Sequence, residues 1–429
     1  MLGHMVSTGA VGDEVELAIE GVAHGGVFVA RHGGDAESRG RVVFVPEVIP
    51  GERVRARLTQ AGAKSFWRAE PIEILDASPH RRPHVWPQAD INVPAAERPG
   101  GADFGHIALE HQRELKATVI SDALRRMGGV EPGDLAVAPA GADETVDGTG
   151  WRTRVSLHVD EKGRIGPFAS RSHEVVPVVD LPLATRAIAH AADRLTGAEP
   201  GRVDFVQPAD GRVRILRRPA ARRAHHKPET VVEVVDDREF RVDAGGFWQV
   251  HRLAAAALSA AVRAGLATAG GVDPDAAHLD LYGGVGLFAA TLAELGGPRT
   301  RVTSVESDPA ATEHAGDNLA EWVGARAVTG RVDRWMRQLA DTASAAERSR
   351  LAAGVTLLDP PRAGAGREVV DAIAGLAPAS VVYVACDPVA LARDLATFRG
   401  HGYEPAVLRA LDLFPNSHHV ETVAILTRS

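Results

Sequence analysis

The 429-residue chain predicts an α/β protein in three parts: a small β-barrel, a mixed α/β segment and a doubly wound parallel sheet. Three observations carry that expectation. Between Asp13 and Asp76, short stretches of alternating apolar and polar residues are punctuated by glycines and show no helical period. From about Phe240 onward, strand and helix patterns take turns, as in a sheet covered by helices on both faces. The stretch VVYVACDPVALARD, Val381 to Asp394, reads as a buried strand running into a helix, with Cys386, the chain's only cysteine, at the strand's carboxyl end. Open α/β sheets hold ligands outside those ends, so this thiol faces the site. It is a candidate nucleophile, the alternative being a small buried apolar residue.

The length suits two or three domains, with bounds expected at 1–80, 81–235 and 236–429. An apolar share of 45% and a charged share of 24% exclude disordered, collagen-like and membrane classes, and no apolar run could span a bilayer. The opening MLGHMVSTGAVG lacks the basic-then-apolar order of a secretory signal and reads as a loose leader. A single cysteine allows no internal disulfide, so a cytoplasmic location is expected. The net charge of −8 gives nucleic acid no global attraction, and any RNA contact must come from local basic surface.

In the first segment, Val15, Leu17 and Ile19 alternate with polar or small residues, giving a half-buried strand over Glu14–Glu20. A second strand covers Arg41–Val45. In the next, Val54, Ala56 and Leu58 share one face, which puts Arg53, Arg55 and Arg57 on the other. Those arginines are either a solvated face or a stripe for phosphates. Residues 84–105 are rich in Pro and Gly and read as linker. A helix follows over 106–127, with Ile107, Leu115, Val119, Ile120, Leu124 and Met127 at helical spacing; Gly128 and Gly129 stop it, and it can pack on the catalytic part.

The middle segment contains strands at Trp151–Val159 and Val175–Val179 and a helix near Ala184–Leu195. Arg212, Arg214, Arg217, Arg218, Arg222, Arg223 and Lys227 form the most basic run, with His225 and His226 beside them. It is a phosphate footprint or a solvated loop. The paired histidines have no further ligand at metal spacing, so no metal site is expected.

In the last segment, the strand His278–Leu281 enters Tyr282-Gly283-Gly284-Val285-Gly286 and then the helix Leu287–Leu295. Gly284 and Gly286 let the backbone approach a nucleotide cofactor, whose carboxylate or phosphate would meet the helix amino end. Some twenty residues on, the strand Val302–Val305 ends at Glu306, placed to accept bonds from ribose hydroxyls. S-adenosylmethionine (SAM) fits this pattern as well as NAD does. A third strand, Val355–Leu358, ends in Asp359-Pro360-Pro361-Arg362.

The ordered set LDLYGGVGLF, VESDPAATEHAGDNL, LLDPPRAGA, VVYVACDPVALARDL and LFPNSHHVETVAIL, with GGFWQVH before it, closely resembles the SAM-dependent RNA 5-methyluridine methyltransferases. The first eighty residues, through VVFVPEVIPGERVRARL and EILDASPHR, resemble a TRAM domain, an OB-like barrel that implies RNA as partner. The resemblance implies a Rossmann-like class I methyltransferase domain in the last segment. It makes Cys386 the thiolate that adds to C6 of uracil, so that C5 can attack the SAM methyl group, and makes Glu421 the base that removes the C5 proton. Glu421 is otherwise a carboxylate before a closing strand. Asp359 is implied to touch cofactor and uracil; Gln249, Tyr282 and Glu306 match cofactor positions, Gly284 and Gly286 line the loop, and Asp333 lies near the adenine. Because only the thiolate is competent, a lowered Cys386 pKa is expected. A barrel of this kind points to rRNA ahead of the tRNA T-loop, and the chain is expected to be monomeric.

Several positions depart from the family pattern. The linker lacks the three cysteines that in many members hold an iron–sulfur cluster, and Leu181 stands where the fourth is expected, so no such cluster is implied. Gly283 replaces a frequent Cys and Leu287 a common Asn. Arg362 stands where amine-modifying methyltransferases usually carry an aromatic residue, which disfavours that chemistry. Cytosine-C5 enzymes usually place the cysteine after a proline, whereas Pro388 follows Cys386 here. A non-catalytic RNA-binding relic would be expected to lose at least one of Cys386, Glu421, Asp359 and Glu306, all of which are present.

Overall fold

The computed structural model describes residues 9–33, 40–62, 65–169, 172–220 and 229–428. Strands β1 (Glu14–Ala23), β2 (Val27–His32), β3 (Arg41–Val45), β4 (Arg53–Gln60) and β5 (Phe66–Asp76) close into a barrel in the order β1-β2-β3-β5-β4. Alternation decides what fills it: Val54, Ala56 and Leu58 are buried with Leu17, Phe28, Val43 and Trp67. Arg53, Arg55 and Arg57 point outward as expected, but they are no free phosphate stripe. Register sets carboxylates opposite them, and Arg53 pairs with Asp76 and Glu16, Arg55 with Glu73, and Arg57 with Glu14. The solvated alternative describes this face.

The linker is irregular yet pinned. Arg98 is buried, donates to the carbonyls of Val93 (2.5 Å) and Ile91 (2.8 Å), and pairs with Glu47 at 2.5 Å. Helix α1 (Leu109–Ala123) is shorter than expected, because residues 124–128 form a π turn closed by Gly129 at φ 62°. That turn changes the helical phase, so Met127, expected in the core, is 45% exposed.

The middle segment supplies β6 (Val137–Pro139), β7 (Arg154–Val159), β8 (Ile165–Gly166), α2 (Arg186–Asp193), β9 (Gly201–Val206) and β10 (Arg214–Pro219). Four of these strands form an antiparallel sheet in the order β10-β9-β7-β8. The expected strand Val175–Val179 does not form. Pro177 has no N–H to donate, Val179 is 82% exposed, and only an isolated bridge from Val175 to Phe168 remains. In the basic run, Arg214 is paired with Asp210 and Glu229 and Arg218 with Asp204, while Arg217 donates to backbone carbonyls. Arg222, Arg223, His225, His226 and Lys227 lie outside the described residues.

A ribbon of β11 (Thr230–Val235) and β12 (Arg238–Asp243) leads into the last segment. There α3 (Ala254–Thr268), β13 (Ala277–Leu281), α4 (Leu287–Gly296), β14 (Arg301–Glu306), α5 (Pro309–Asn318), β15 (Arg326–Thr329), α6 (Val332–Thr342), α7 (Ala345–Ala352), β16 (Val355–Leu358), α8 (Arg367–Leu376), β17 (Ser380–Ala385), α9 (Pro388–Gly400), β18 (Tyr403–Asp412) and β19 (Glu421–Arg428) follow. The sheet order is β15-β14-β13-β16-β17-β19-β18-β6. It is parallel from β15 to β17 and then turns antiparallel, since β19 and β18 close as a hairpin. Strand order reverses beside β13, the switch point at which such sheets bind ligands. Two apolar clusters cover the sheet's faces, one built on α3 and α4 and the other on α1, α8 and α9. The middle segment thus lends the sheet its edge strand β6, which pairs with β18.

One buried residue ties these parts together. Asn416, fully buried at φ 68°, accepts from Arg82 (2.5 Å) and from Gln112 Nε2 (3.1 Å), and its amide donates to the carbonyls of Gly148 (2.7 Å) and Asp147 (3.0 Å). Its backbone N–H donates to Gln112 and its carbonyl accepts from Phe104 N. Asn416→Ala is expected to cost on the order of 3 kcal/mol, from lost side-chain bonds and a left-handed backbone that favours Asn. A thermal unfolding midpoint unchanged in that variant would contradict the role given to Asn416.

Candidate active site

Strand register brings five of the expected site residues to one edge of the sheet. Their row steps two residues farther along the strands at Cys386 and Glu421, because Val384 is the residue level with Asp359. Leu281 pairs with Val305 on one side and Leu358 on the other, so Tyr282 follows beside Glu306 and Asp359. Leu358 pairs with Tyr383, and Ala385 pairs with Thr422, so continuing that register sets Cys386 opposite Glu421. Across the sheet the order is Glu306, Tyr282, Asp359, Cys386, Glu421. At about 4.8 Å per strand, the row spans about 19 Å.

At one end the cofactor loop is sculpted by backbone. Tyr282, Gly284 and Gly286 all take positive φ (62°, 54° and 89°). Glu306 accepts from Gly284 N at 3.1 Å with one carboxylate oxygen, and from Ser307 N and Asp308 N with the other. A side chain at Gly283 would overlap Ser304, which accounts for glycine here. Leu287 turns into the core. Asn318 holds the loop by donating to Val285 O at 2.9 Å. Asp333 pairs with Arg331, and its charge is felt at the Tyr282 phenol, which burial first and Asp333 second push up to about 12. Gln249 is not brought into the row: it lies on the wall of a separate cavity of about 750 Å³ with Thr185, Gln207, Trp248 and His251.

At the other end, β17 delivers Cys386, half-buried, to a cavity of about 180 Å³. Asp387 caps α9 by accepting from Val389 N (3.0 Å) and Ala390 N (2.8 Å). Its other oxygen meets His24 of the barrel hairpin at 2.9 Å. The barrel therefore forms one wall of the cavity, and His418, His419 and Arg362 stand on the others.

A TRAM domain profile matches residues 10–66, and the tRNA (uracil-5-)-methyltransferase family profile matches residues 334–429. Proteins named as uncharacterized RNA methyltransferases in Streptomyces avermitilis and Bifidobacterium longum are 39% and 36% identical; each alignment covers 97% of this chain, and 98% and 97% of the relative. The chain belongs to this family of RNA methyltransferases. Its fold is that of the Pyrococcus abyssi tRNA (uracil-54, C5)-methyltransferase, solved with S-adenosyl-L-homocysteine, at a TM-score of 0.69 and 20% identity over 96% of this chain and 99% of that one.

The electrostatics of this methyltransferase depart from the lowered thiol expected of the sequence. Burial first, then the charges of Glu421 and Asp359, push Cys386 up to about 12, with Arg362 opposing. Burial and then Asp359 raise Glu421 well above the usual carboxylate range, again opposed by Arg362. Burial and Asp280 push Asp359 up to about 7, and burial does the same to Asp280. Crowded carboxylates in a desolvated site repel a further negative charge. Asp280 Oδ1 is buried without a hydrogen-bond partner, so the site suits a ligand that brings positive charge. SAM fits: Glu306 and Tyr282 would hold its nucleoside, and the α4 amino end its carboxylate.

Sequence reasoning missed Asp280, Arg362, His419 and Lys116 as site residues. Arg362 carried a signal, as a cation directly after a strand-end Asp-Pro-Pro. Lys116 carried none: its burial against Asp412 (2.5 Å) is a tertiary fact. A carboxyl moved from 3.8 to about 7 disfavours its ionised form on folding by on the order of 4 kcal/mol. The folded state then binds more protons than the unfolded one, so stability falls as pH rises from about 4 to 7. In ligand-free protein, the melting temperature of Asp280→Asn should decline less over that window than wild type does; equal slopes would count against the buried acid.

Proposed function

We propose that this chain methylates C5 of a uridine in RNA, with Cys386 forming a covalent bond to C6. The placement of Cys386 between Asp359 and Glu421 on adjacent strand ends carries this reading. SAM, when bound, supplies an electrophilic methyl group. Uracil C5 is a poor nucleophile until a thiolate adds at C6 and pushes electron density onto it. Asp359, one strand from Tyr282 and one from Cys386, positions the uracil against the cofactor loop. Glu421 then takes the C5 proton, and the C6–S bond breaks. The Arg362 charge favours the ionised carboxylate that this step needs. Uracil must leave its stack to reach the cavity, at a cost of a few kcal/mol that contacts elsewhere must offset. The barrel wall beside Cys386 is suited to supply some of them.

The lone thiol suits a reducing cytoplasm and the chain a monomeric enzyme. Large-subunit rRNA is the first substrate to test, on the analogy of barrel-bearing ribosomal enzymes. The tRNA T-loop is the second, because the solved tRNA enzyme overlays almost the whole chain, barrel region included. Mass-spectrometric mapping of 5-methyluridine in both RNAs, from cells with and without the gene, separates the two.

Cys386→Ala should reduce methylation at least about 1,000-fold with RNA affinity nearly unchanged; turnover that survives eliminates this nucleophile. Glu421→Gln should leave the RNA attached to the protein, as a retarded band on a denaturing gel. Lack of any adduct with a substrate RNA that wild type methylates would argue against Glu421 as the base.

A further inference from the structure

One histidine on the wall of the Cys386 cavity, His418, has no part in the scheme above, nor does the carboxylate that holds it. His418 Nδ1 lies 2.6 Å from Asp103 Oδ2, and the same oxygen accepts from His418 N at 3.2 Å. Asp103 comes from the linker after the barrel, 315 residues away in sequence. Gly26 of the barrel hairpin, buried at φ 70°, closes over the pair; a Cβ there would overlap Asp103 and come within 2.8 Å of His418 Nδ1. Three separate parts of the chain thus converge on one imidazole. With Nδ1–H donated to a carboxylate, Nε2 is the basic nitrogen.

The other charged groups around His418 are already engaged. The His419 ring, 4.1 Å away, is held neutral with a pKa pushed down to about 4 by burial and then by His418. On α1, Lys116 is tied to Asp412, and at the α9 cap Asp387 is tied to His24. Arg362 faces the cavity as a cation, and Glu421 is required for the later C5 proton. Half-buried beside Glu421 and Asp359, the thiol is pushed up to about 12, so near neutral pH its proton needs an acceptor.

We propose that His418, oriented by Asp103, takes the Cys386 proton across the shared cavity as sulfur adds to uracil C6. This rests on the reading of Cys386 as nucleophile. The S–H bond breaks and its proton goes to His418 Nε2. The C6–S bond forms, and the C5–C6 electron pair moves toward C5 and O4. After methyl transfer, Glu421 removes the C5 proton; that electron pair restores the C5–C6 double bond and expels the sulfur, which recovers its proton from His418. Glu421 releases its proton to solvent. His418 is then a catalytic residue and Asp103 a positioning residue.

Because Cys386 is the chain's only cysteine, iodoacetamide reports on it alone. The form with the proton on His418 contains as many protons as the neutral pair, so the ratio of the two does not change with pH. Wild-type alkylation should therefore contain a component that does not change with pH, seen as a plateau in the profile. His418→Gln should replace that plateau with a tenfold rise per pH unit and react about tenfold more slowly at pH 7. Asp103→Asn, which preserves shape, should lower the plateau. Superimposable profiles for wild type and His418→Gln overturn the proposal, as does a His418→Gln enzyme that loses methylation with an unaltered alkylation profile. Methylation surviving in Cys386→Ala overturns the nucleophile instead, so the two failures are distinct.

Discussion

The loop between β18 and β19 carries His418 and His419 and leads into Glu421 at the start of β19, and its geometry hangs on the six hydrogen bonds of Asn416. Those bonds run to the linker after the barrel, to α1 and to the turn at residues 147–148, so one side chain joins parts separated by more than 300 residues. Its own backbone sits in the left-handed region, where Asn is tolerated better than other residues with a side chain. The neighbouring ion pairs work in the same direction. Lys116 and Arg113 of α1 both reach Asp412, the residue at which β18 ends. A buried charge cluster of this kind adds little net stability, yet breaking it would leave an unpaired charge, which fixes one arrangement of the loop.

That constraint lets the sheet and the barrel share a cavity. The β1–β2 hairpin touches the strand end that carries Cys386 through His24 and Asp387, and approaches His418 through Gly26. The His24 pKa is raised chiefly by its bond to Asp387, so this contact strengthens when the imidazole is protonated and weakens as pH rises. A module expected to hold RNA is thereby in direct contact with the residue that follows Cys386. The barrel and the strand end that carries Cys386 thus meet over a few ångströms.

Electrostatics complete the picture. Asp280, Asp359 and Glu421 are buried close together, opposed by the Arg362 charge at Glu421 and Cys386. In the chain alone such a site favours neutral acids and a neutral thiol. A bound cationic cofactor, acting with the His418 imidazole on the cavity wall, would let the same groups ionise in turn. The crowding of carboxyl groups is thus a property of a site shaped for positive ligands.

Local pattern made much of this molecule legible. β3 and β16 lie at the residues expected of them, and the strand-loop-helix around Tyr282 and Gly286 follows from apolar runs broken by glycine, signals that need only near neighbours. Cys386 and Glu306 could be placed at strand ends for the same reason. The phase change at the π turn, the failed strand at Pro177 and the pairing of the barrel arginines lay beyond local pattern, since each depends on what packs or pairs alongside. The sequence by itself determined which residues end strands and helices, because period and turn chemistry are written within a dozen residues. Only the tertiary structure decided that Cys386 is opposed by Glu421, that its thiol is pushed up and not down, and that Asp103 meets His418, because burial and charge depend on groups brought together from distant parts of the chain.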